Sequence, residues 1–406
     1  MKIKIRYIPY LLVCFGIFIF PYSLRNAIIP SIAGINIFVY LGLIYGYNKG
    51  IIRLISNKFI KFLLAIFILV SISLLIYVKD NGWDYILKFK LIFIYILPIL
   101  FLNIEIPKKE NLDLFIIGFY KVLKKICLLM VVFGLLDKLL GNVIQGFWAS
   151  FYDSSTLKYM VNSGRLVSFY GHPLTNTYLF LTFLSWVLIL KELYNIKNKY
   201  VINILIALLG IAMTGSKSGI IIAIALLLIY HVGLKNIKYM FIVVALMVVL
   251  YTTGIFDLVF DRLMEGIAAG DISTSRNSAL TRLLENGTIK FDLLKGNVID
   301  YSYTSMIVAL EYPFLRWSYT SGILFTITMY LGYFVFPIVR IISGKNMRVL
   351  ICTLCLMIYV NGNNGISAYN DDLLLYSINI GLIILILKQS LKNSCKISTG
   401  GEICQN

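Results

Sequence analysis

Three stretches hold the side chains that could do chemistry in an otherwise apolar chain. The first, Ala212-Met213-Thr214-Gly215-Ser216-Lys217-Ser218-Gly219, joins two apolar runs through small residues. Backbone N–H groups opening a helix there, with the Lys217 ammonium beside them, favour an anion. The spacing Gly210-x4-Gly215-Ser-Lys217-Ser218 carries one residue too many before the lysine for a phosphate loop. It also lies between apolar helices rather than between a strand and a helix, so nucleotide binding is set aside. A tight turn with a snorkelling lysine is the competing reading. The second stretch, 141–172, ends Asn162-Ser163-Gly164-Arg165-Leu166-Val167-Ser168-Phe169-Tyr170-Gly171-His172 and runs through Pro173 straight into an apolar segment. The third, 257–320, sets Arg276, Arg282 and Arg316 beside Glu311 and ends among Tyr301, Tyr303, Tyr312, Phe314, Trp317 and Tyr319. Such rings suit the lipid headgroup layer, and they also form platforms on which sugars stack.

Metal chemistry has little support. There are two histidines, His172 and His231, and no Asp-x-Asp pattern, so no metal site and no cofactor are assigned. Asp257, Asp261 and Glu265 stand four apart with apolar residues between, which reads as the solvated face of an amphipathic helix at the membrane interface. His231 reads as structural or interfacial. The six cysteines lie in apolar runs or near the C-terminus, which gives no extracellular disulfide framework and no metal-binding pair.

The elements that must position these residues follow from composition. Of 406 residues, 59% are apolar and only 14% charged, which excludes soluble, disordered and fibrous classes. A helix needs about 20 mainly apolar residues to cross the ~30 Å hydrocarbon core. Such runs recur at 7–24, 27–46, 59–78, 85–104, 114–140, 173–193, 200–215, 217–234, 238–256, 321–342, 347–361 and 372–389. The expected fold is an all-α polytopic integral membrane protein of about 12 transmembrane helices. Its parts are helices 1–9 over 1–256, a large extracytoplasmic loop over 257–320, helices 10–12 over 321–389, and a tail over 390–406.

The formal charge of +18 would suggest nucleic acid in a soluble protein. Here it orients the chain. Lys2, Lys4, Arg6, Lys49, Arg53, Lys108, Lys109, Lys197, Lys199, Lys235, Arg340, Lys345, Arg348 and Lys392 all fall on one side if both termini are cytoplasmic. The three stretches then face outward, and no nucleic acid is expected as a partner.

With those residues in hand, the chain resembles the bacterial O-antigen ligase and Wzy-type polysaccharide polymerase superfamily. Gly164-Arg165 followed by Gly171-His172-Pro173 is similar to the family's arginine and histidine-proline segment, with Leu174 where Asn is often found and Asn176 two residues on. Thr214-Gly215-Ser216-Lys217-Ser218-Gly219 is similar to the family's Thr-Gly-Ser-Arg-Ser-Gly turn, with Lys for Arg. The segment 257–320, with Arg276, Arg282, Gly296-Asn297 and the return from Glu311 to Gly322, looks like the family's catalytic loop. The likeness in layout covers nearly the whole chain, but each motif is short.

The resemblance implies polymerisation of lipid-linked oligosaccharide repeat units of a capsule, exopolysaccharide or O-antigen at the outer face of the bacterial cytoplasmic membrane. Glycan leaves polyprenyl pyrophosphate for an acceptor sugar hydroxyl, without metal. Arg165, Lys217, Arg276, Arg282 and Arg316 are the implied pyrophosphate clamp, because fixed cations stabilise charge on the leaving group. His172 or Glu311 is the implied base, with Arg165 also at the reacting centre. The competing assignments are an N-cap for His172 and an ion pair with Arg316 for Glu311. Membrane lipids, a flippase and a chain-length regulator are the further partners. A ligase moving finished glycan to a lipid or protein is the alternative within the superfamily. A flippase or secondary transporter is the alternative of another class, although 1–200 and 201–406 show no internal symmetry.

Overall fold

The computed structural model describes residues 5–55, 58, 60–68, 92–152, 155–195, 199–231, 257–268, 270, 276–294, 296, 297, 299, 304–368 and 370–398. The helices include α1 (Ile8–Cys14), α2 (Tyr22–Ile28), α3 (Ile37–Asn48), α4 (Lys109–Leu139), α5 (Val143–Phe151), α6 (Ser155–Asn162), α7 (Pro173–Tyr194), α8 (Tyr200–Met213) and α9 (Lys217–Tyr230). They continue with α10 (Asp257–Ala268), α11 (Arg276–Glu285), α12 (Thr304–Ala309), α13 (Pro313–Ser321), α14 (Ile323–Tyr330), α15 (Phe336–Ile342), α16 (Met347–Asn361) and α17 (Asp372–Ser398). Strand pairing among the described residues is one short antiparallel ladder, Arg53 opposite Glu105 and Leu54 opposite Ile104.

Among the described residues three helical segments, Pro173–Tyr194, Ile323–Ile342 and Asp372–Ser390, are long and apolar enough to cross a membrane, and the number rises to five if each of two bent pairs is one span. Helix α4 fits lipid contact: Leu128, Leu129, Val132, Phe133, Leu135 and Leu136 lie exposed along it. Helix α7 does the opposite. It packs against α4, α8, α9, α16 and α17, and Trp186 on it is fully buried. The Trp186 indole N–H donates to Asn379 Oδ1 on α17 at 3.1 Å, the kind of polar link that joins helices where water is absent.

The expected span 7–24 is not one straight helix. Ile5–Ile19 and Tyr22–Ile28 bend by 75°, because Phe20 precedes Pro21 and is pushed out of the helical region, to φ −124° and ψ 61°. The expected span 27–46 is also broken. Helix α2 stops at Ile28, Pro30 opens a short 3-10 turn, and α3 starts afresh with Asn36 as N-cap, its Oδ1 accepting from Val39 N. Within the expected span 85–104, residues 92–103 form a π turn and a 3-10 helix rather than regular α-helix, and Ile104 begins a strand. Most of the expected span 59–78 and all of the expected span 238–256 fall outside the described residues.

The amphipathic helix expected at 257–265 forms as α10. Residues 276–319 gather a small core of their own from Ala279, Leu283, Ile289, Ile299, Met306, Ala309, Leu310 and Tyr319. Trp317 corrects the aromatic reading. It is fully buried against Tyr95 and Tyr330, with ring centroids 6.0 Å away in each case, so it offers no platform for a sugar or a headgroup. Tyr301 and Tyr303 lie outside the described residues.

Ion pairs tie the bundle at both ends. Arg6–Glu110 (2.8 Å), Lys388–Glu105 (2.7 Å) and Arg348–Glu192 (2.9 Å) join starts and ends of helices at one end. His231 lies there too, its Nε2 2.9 Å from the Tyr200 hydroxyl and its Nδ1 2.8 Å from the Leu227 carbonyl. The starts of α7, α9 and α17 and the ends of α8 and α16 meet at the other end, through Thr175–Asp372, Thr177–Thr214 and Tyr359–Leu174 hydrogen bonds.

Candidate functional site

The second end of the bundle collects Arg165, His172 and Lys217. Helix α4 turns by 110° into α5, and the buried Asp137 carboxylate holds that turn by accepting from Ile144 N (2.6 Å) and Gln145 N (3.0 Å) at the start of α5. Gln145 Oε1 in turn accepts from Val167 N at 2.5 Å. Leu166 is pinned on both sides: its N–H donates to Met213 O (2.8 Å), and its carbonyl accepts from Asn176 Nδ2 (2.9 Å). The segment 165–172 is therefore a strap laid between α5, the end of α8 and the start of α7.

Arg165 is buried, and its Nε–H donates to Thr214 O at 2.9 Å. Thr214 ends α8, Gly215 takes a left-handed φ of +63°, and Ser216 caps α9 by accepting from Gly219 N at 3.2 Å. The half-buried Lys217 is the first residue of α9. A lysine there runs against the helix dipole, an unfavourable term of about 0.3–1 kcal/mol at exposed sites that an anion would reverse. Arg165, Lys217 and the amides opening α9 thus form one positive region.

His172 is the N-cap of α7, as its position before Pro173 suggested, and its Nδ1 accepts from Leu174 N at 3.1 Å. Burial of the ring, and secondarily the charge of Arg165, hold its pKa down to about 4 from an ordinary 6.5. The ring is therefore neutral at physiological pH. With Nδ1 occupied as an acceptor, the bond implies the tautomer protonated at Nε2. A neutral imidazole in that state offers the site a donor, not a base. Gly171 beside it has φ +74°, and a Cβ there would meet Ser23 Oγ, so the strap can close against α2 only with glycine.

The loop residues stand elsewhere. Arg276 pairs with Glu311, donates Nη1–H to Gly362 O at the end of α16 (3.2 Å), and lies 5.7 Å from the Tyr312 ring centre. Glu311 is thus held by Arg276 on α11, not by Arg316 five residues on. The exposed Arg282 donates to Ser305 Oγ at 2.9 Å. Arg316 is buried on α13, which packs against the 3-10 turn Asn364–Ser367. Arg276 and Glu311 reach the bundle end that carries the strap, through Gly362; Arg282 makes its described contact within the loop.

Sequence reasoning missed two acids and an arginine. A cavity of about 370 Å³ lies between α2, the start of α7 and the start of α17, lined among others by His172, Thr175, Asn370, Asp371 and Asp372. Asp371 Oδ1 lies 2.8 Å from Arg25 Nη2 and Oδ2 2.9 Å from Nη1, and Oδ2 also accepts from Tyr22 N and Asn36 Nδ2. Arg25 sends its other N–H groups to Ala33 O and Phe20 O, so all five donors are engaged and it is a latch rather than a substrate clamp. Asp372 accepts on Oδ2 from Asn370 Nδ2 (3.0 Å) and Thr175 Oγ1 (3.3 Å). The available signal was an Asn370-Asp371-Asp372 run opening an apolar helix and an arginine among apolar residues, since charges at such positions are paired or functional. A scan against protein-family models matches none, and searches of the curated proteins and of solved structures found no similar chain.

Proposed function

We propose that this chain is a metal-independent glycosyltransferase of the bacterial cytoplasmic membrane, spanning it about 12 times with both termini inside, which polymerises lipid-linked oligosaccharide repeat units. The observation that carries the reading is the positive region of Arg165, Lys217 and the start of α9 beside a cavity lined in part by His172, Asp371 and Asp372 at one end of an apolar bundle. A pyrophosphate leaving group needs fixed donors where its charge develops, in a poorly hydrated place. The polyprenyl chain needs lipid contact at the same time, which a bundle with exposed apolar faces allows. The orientation is supported by the basic loops, and by ion pairs that tie together segments assigned to one side, such as Arg348 with Glu192 and Lys388 with Glu105.

Arg165 and Lys217 hold the pyrophosphate in this reading, while His172 donates through Nε2–H. Arg276 and Glu311 secure the loop 257–320 over the site, and Arg282 and Arg316 remain candidates for contact with the donor. Deleting the gene and running surface glycan on a gel tests the assignment. Single repeats in place of a ladder are expected; an unchanged ladder would overturn it, and unattached full-length polymer would make the chain a ligase. A reporter fused after Lys290 is expected outside the cell, and cytoplasmic activity there would overturn the topology.

A further inference from the structure

We propose that the cavity between α2, α7 and α17 binds a sugar hydroxyl of the acceptor glycan, and that the Asp372 carboxylate takes its proton. This rests on the glycosyl-transfer reading above. The cavity, at about 370 Å³, is large enough to take a sugar ring. Its charges are sorted. Asp371 is neutralised by Arg25, whereas Asp372, 6% exposed, has no ion pair among the described residues. Both neutral donors to Asp372 fall on Oδ2, and Oδ1 makes no hydrogen bond among the described residues.

A pocket with one uncompensated carboxylate repels pyrophosphate and suits a neutral hydroxyl. Arg165 lies close enough for its charge to act on His172, and His172 lines the cavity, so the anion region and the acid pocket meet at this ring. Neither His172 nor Glu311 is equally placed to act as the base. His172 presents a donor, and Glu311 is bound to Arg276.

In the proposed step the acceptor oxygen forms a bond to the anomeric carbon while the bond from that carbon to the pyrophosphate oxygen breaks. The electron pair leaves with polyprenyl pyrophosphate, and the hydroxyl proton passes to Asp372 Oδ1. No oxidant, reductant or metal is required by this balance.

The test uses the full-length protein in lipid vesicles, supplied with lipid-linked repeat units extracted from a strain lacking the gene. Asp372→Asn, which preserves shape, should lower kcat by about 10²–10⁴-fold, with KM for the lipid-linked repeat altered less than about threefold. A raised KM with intact kcat, or wild-type values of both, overturns the inference. Should Asp372→Asn fail to accumulate, Asp372→Glu decides: displacement of the carboxylate should lower kcat by roughly 10²-fold, and an unchanged kcat overturns it. Absence of polymer from the wild-type protein would overturn the glycosyl-transfer reading and this inference together; polymer made at wild-type rate by Asp372→Asn overturns the inference alone.

Discussion

Arg165 donates its Nε–H to the main-chain carbonyl of Thr214 at 2.9 Å, across 49 residues of sequence. The contact fastens the strap before α7 to the turn before α9, so one guanidinium shapes both halves of the positive region. Arg165→Lys keeps the charge but loses the planar fork and its Nε–H donor. It is expected to stop or strongly shorten chain elongation, with a stability loss of about 1.5–3 kcal/mol for a hydrogen bond to a charged group. Gel analysis of glycan length beside protein abundance checks this. A wild-type ladder in Arg165→Lys would remove Arg165 from the clamp.

The Arg25–Asp371 pair is expected to dominate stability at the same end. Its side chains are 6% and 12% exposed, and removing one partner leaves a buried charge. Asp371→Asn or Arg25→Met should each destabilise by roughly 3–5 kcal/mol, and the double variant less than the sum of the singles. Thermal melting in detergent measures it. Additive losses would mean the two do not act as a pair.

The helical, membrane-suited character of the chain was legible, because a membrane restricts the choices. Helix α7 runs from Pro173 to Tyr194, against an expected 173–193, since a proline at its first position and an unbroken apolar run fix it locally. The strap and the turn at Thr214–Gly219 were legible as polar interruptions of apolar sequence. The latch was not, because Arg25 and Asp371 are 346 residues apart and neither belongs to a periodic pattern. Trp317 was misread because an amphipathic ring has the same sequence appearance at an interface and in a core. The bend at Phe20–Pro21 is encoded by the proline, but the apolar residues on both sides hid it within one hydropathic run.

Arg276 and Glu311 should behave as a structural pair of unequal members. Arg276→Ala removes the links to Glu311 and to Gly362, whereas Glu311→Ala removes only the first. Melting temperature should therefore fall more for Arg276→Ala, and Arg276→Ala/Glu311→Ala should be no less stable than Arg276→Ala alone. Elongation in Glu311→Gln separates roles: retained activity fits the ion pair, while abolished activity at unchanged stability would return Glu311 to proton transfer.

His172 gives a prediction with a definite sign in pH. Its folded pKa, about 4, lies below the ordinary 6.5 because burial and Arg165 disfavour the imidazolium. The folded state therefore binds fewer protons than the unfolded state between those values, and by linkage the contribution of this residue falls as pH drops from about 6.5 to about 4, then levels off. Above pH 6.5 both states are neutral at this site, so it contributes no pH dependence there. Asn is a good N-cap that does not titrate in this range, so His172→Asn keeps the acceptor for Leu174 N while removing the ionisation. Melting temperatures of the two proteins should run parallel from pH 7 to 8 and converge or cross as pH falls toward 4, where the wild type loses the additional stability. The comparison is read as a difference between the two curves, which cancels the carboxylates common to both. Parallel curves down to pH 4 would mean that His172 is solvated and ionises as it does in the unfolded chain, and the donor role assigned to its Nε2–H would fall with them.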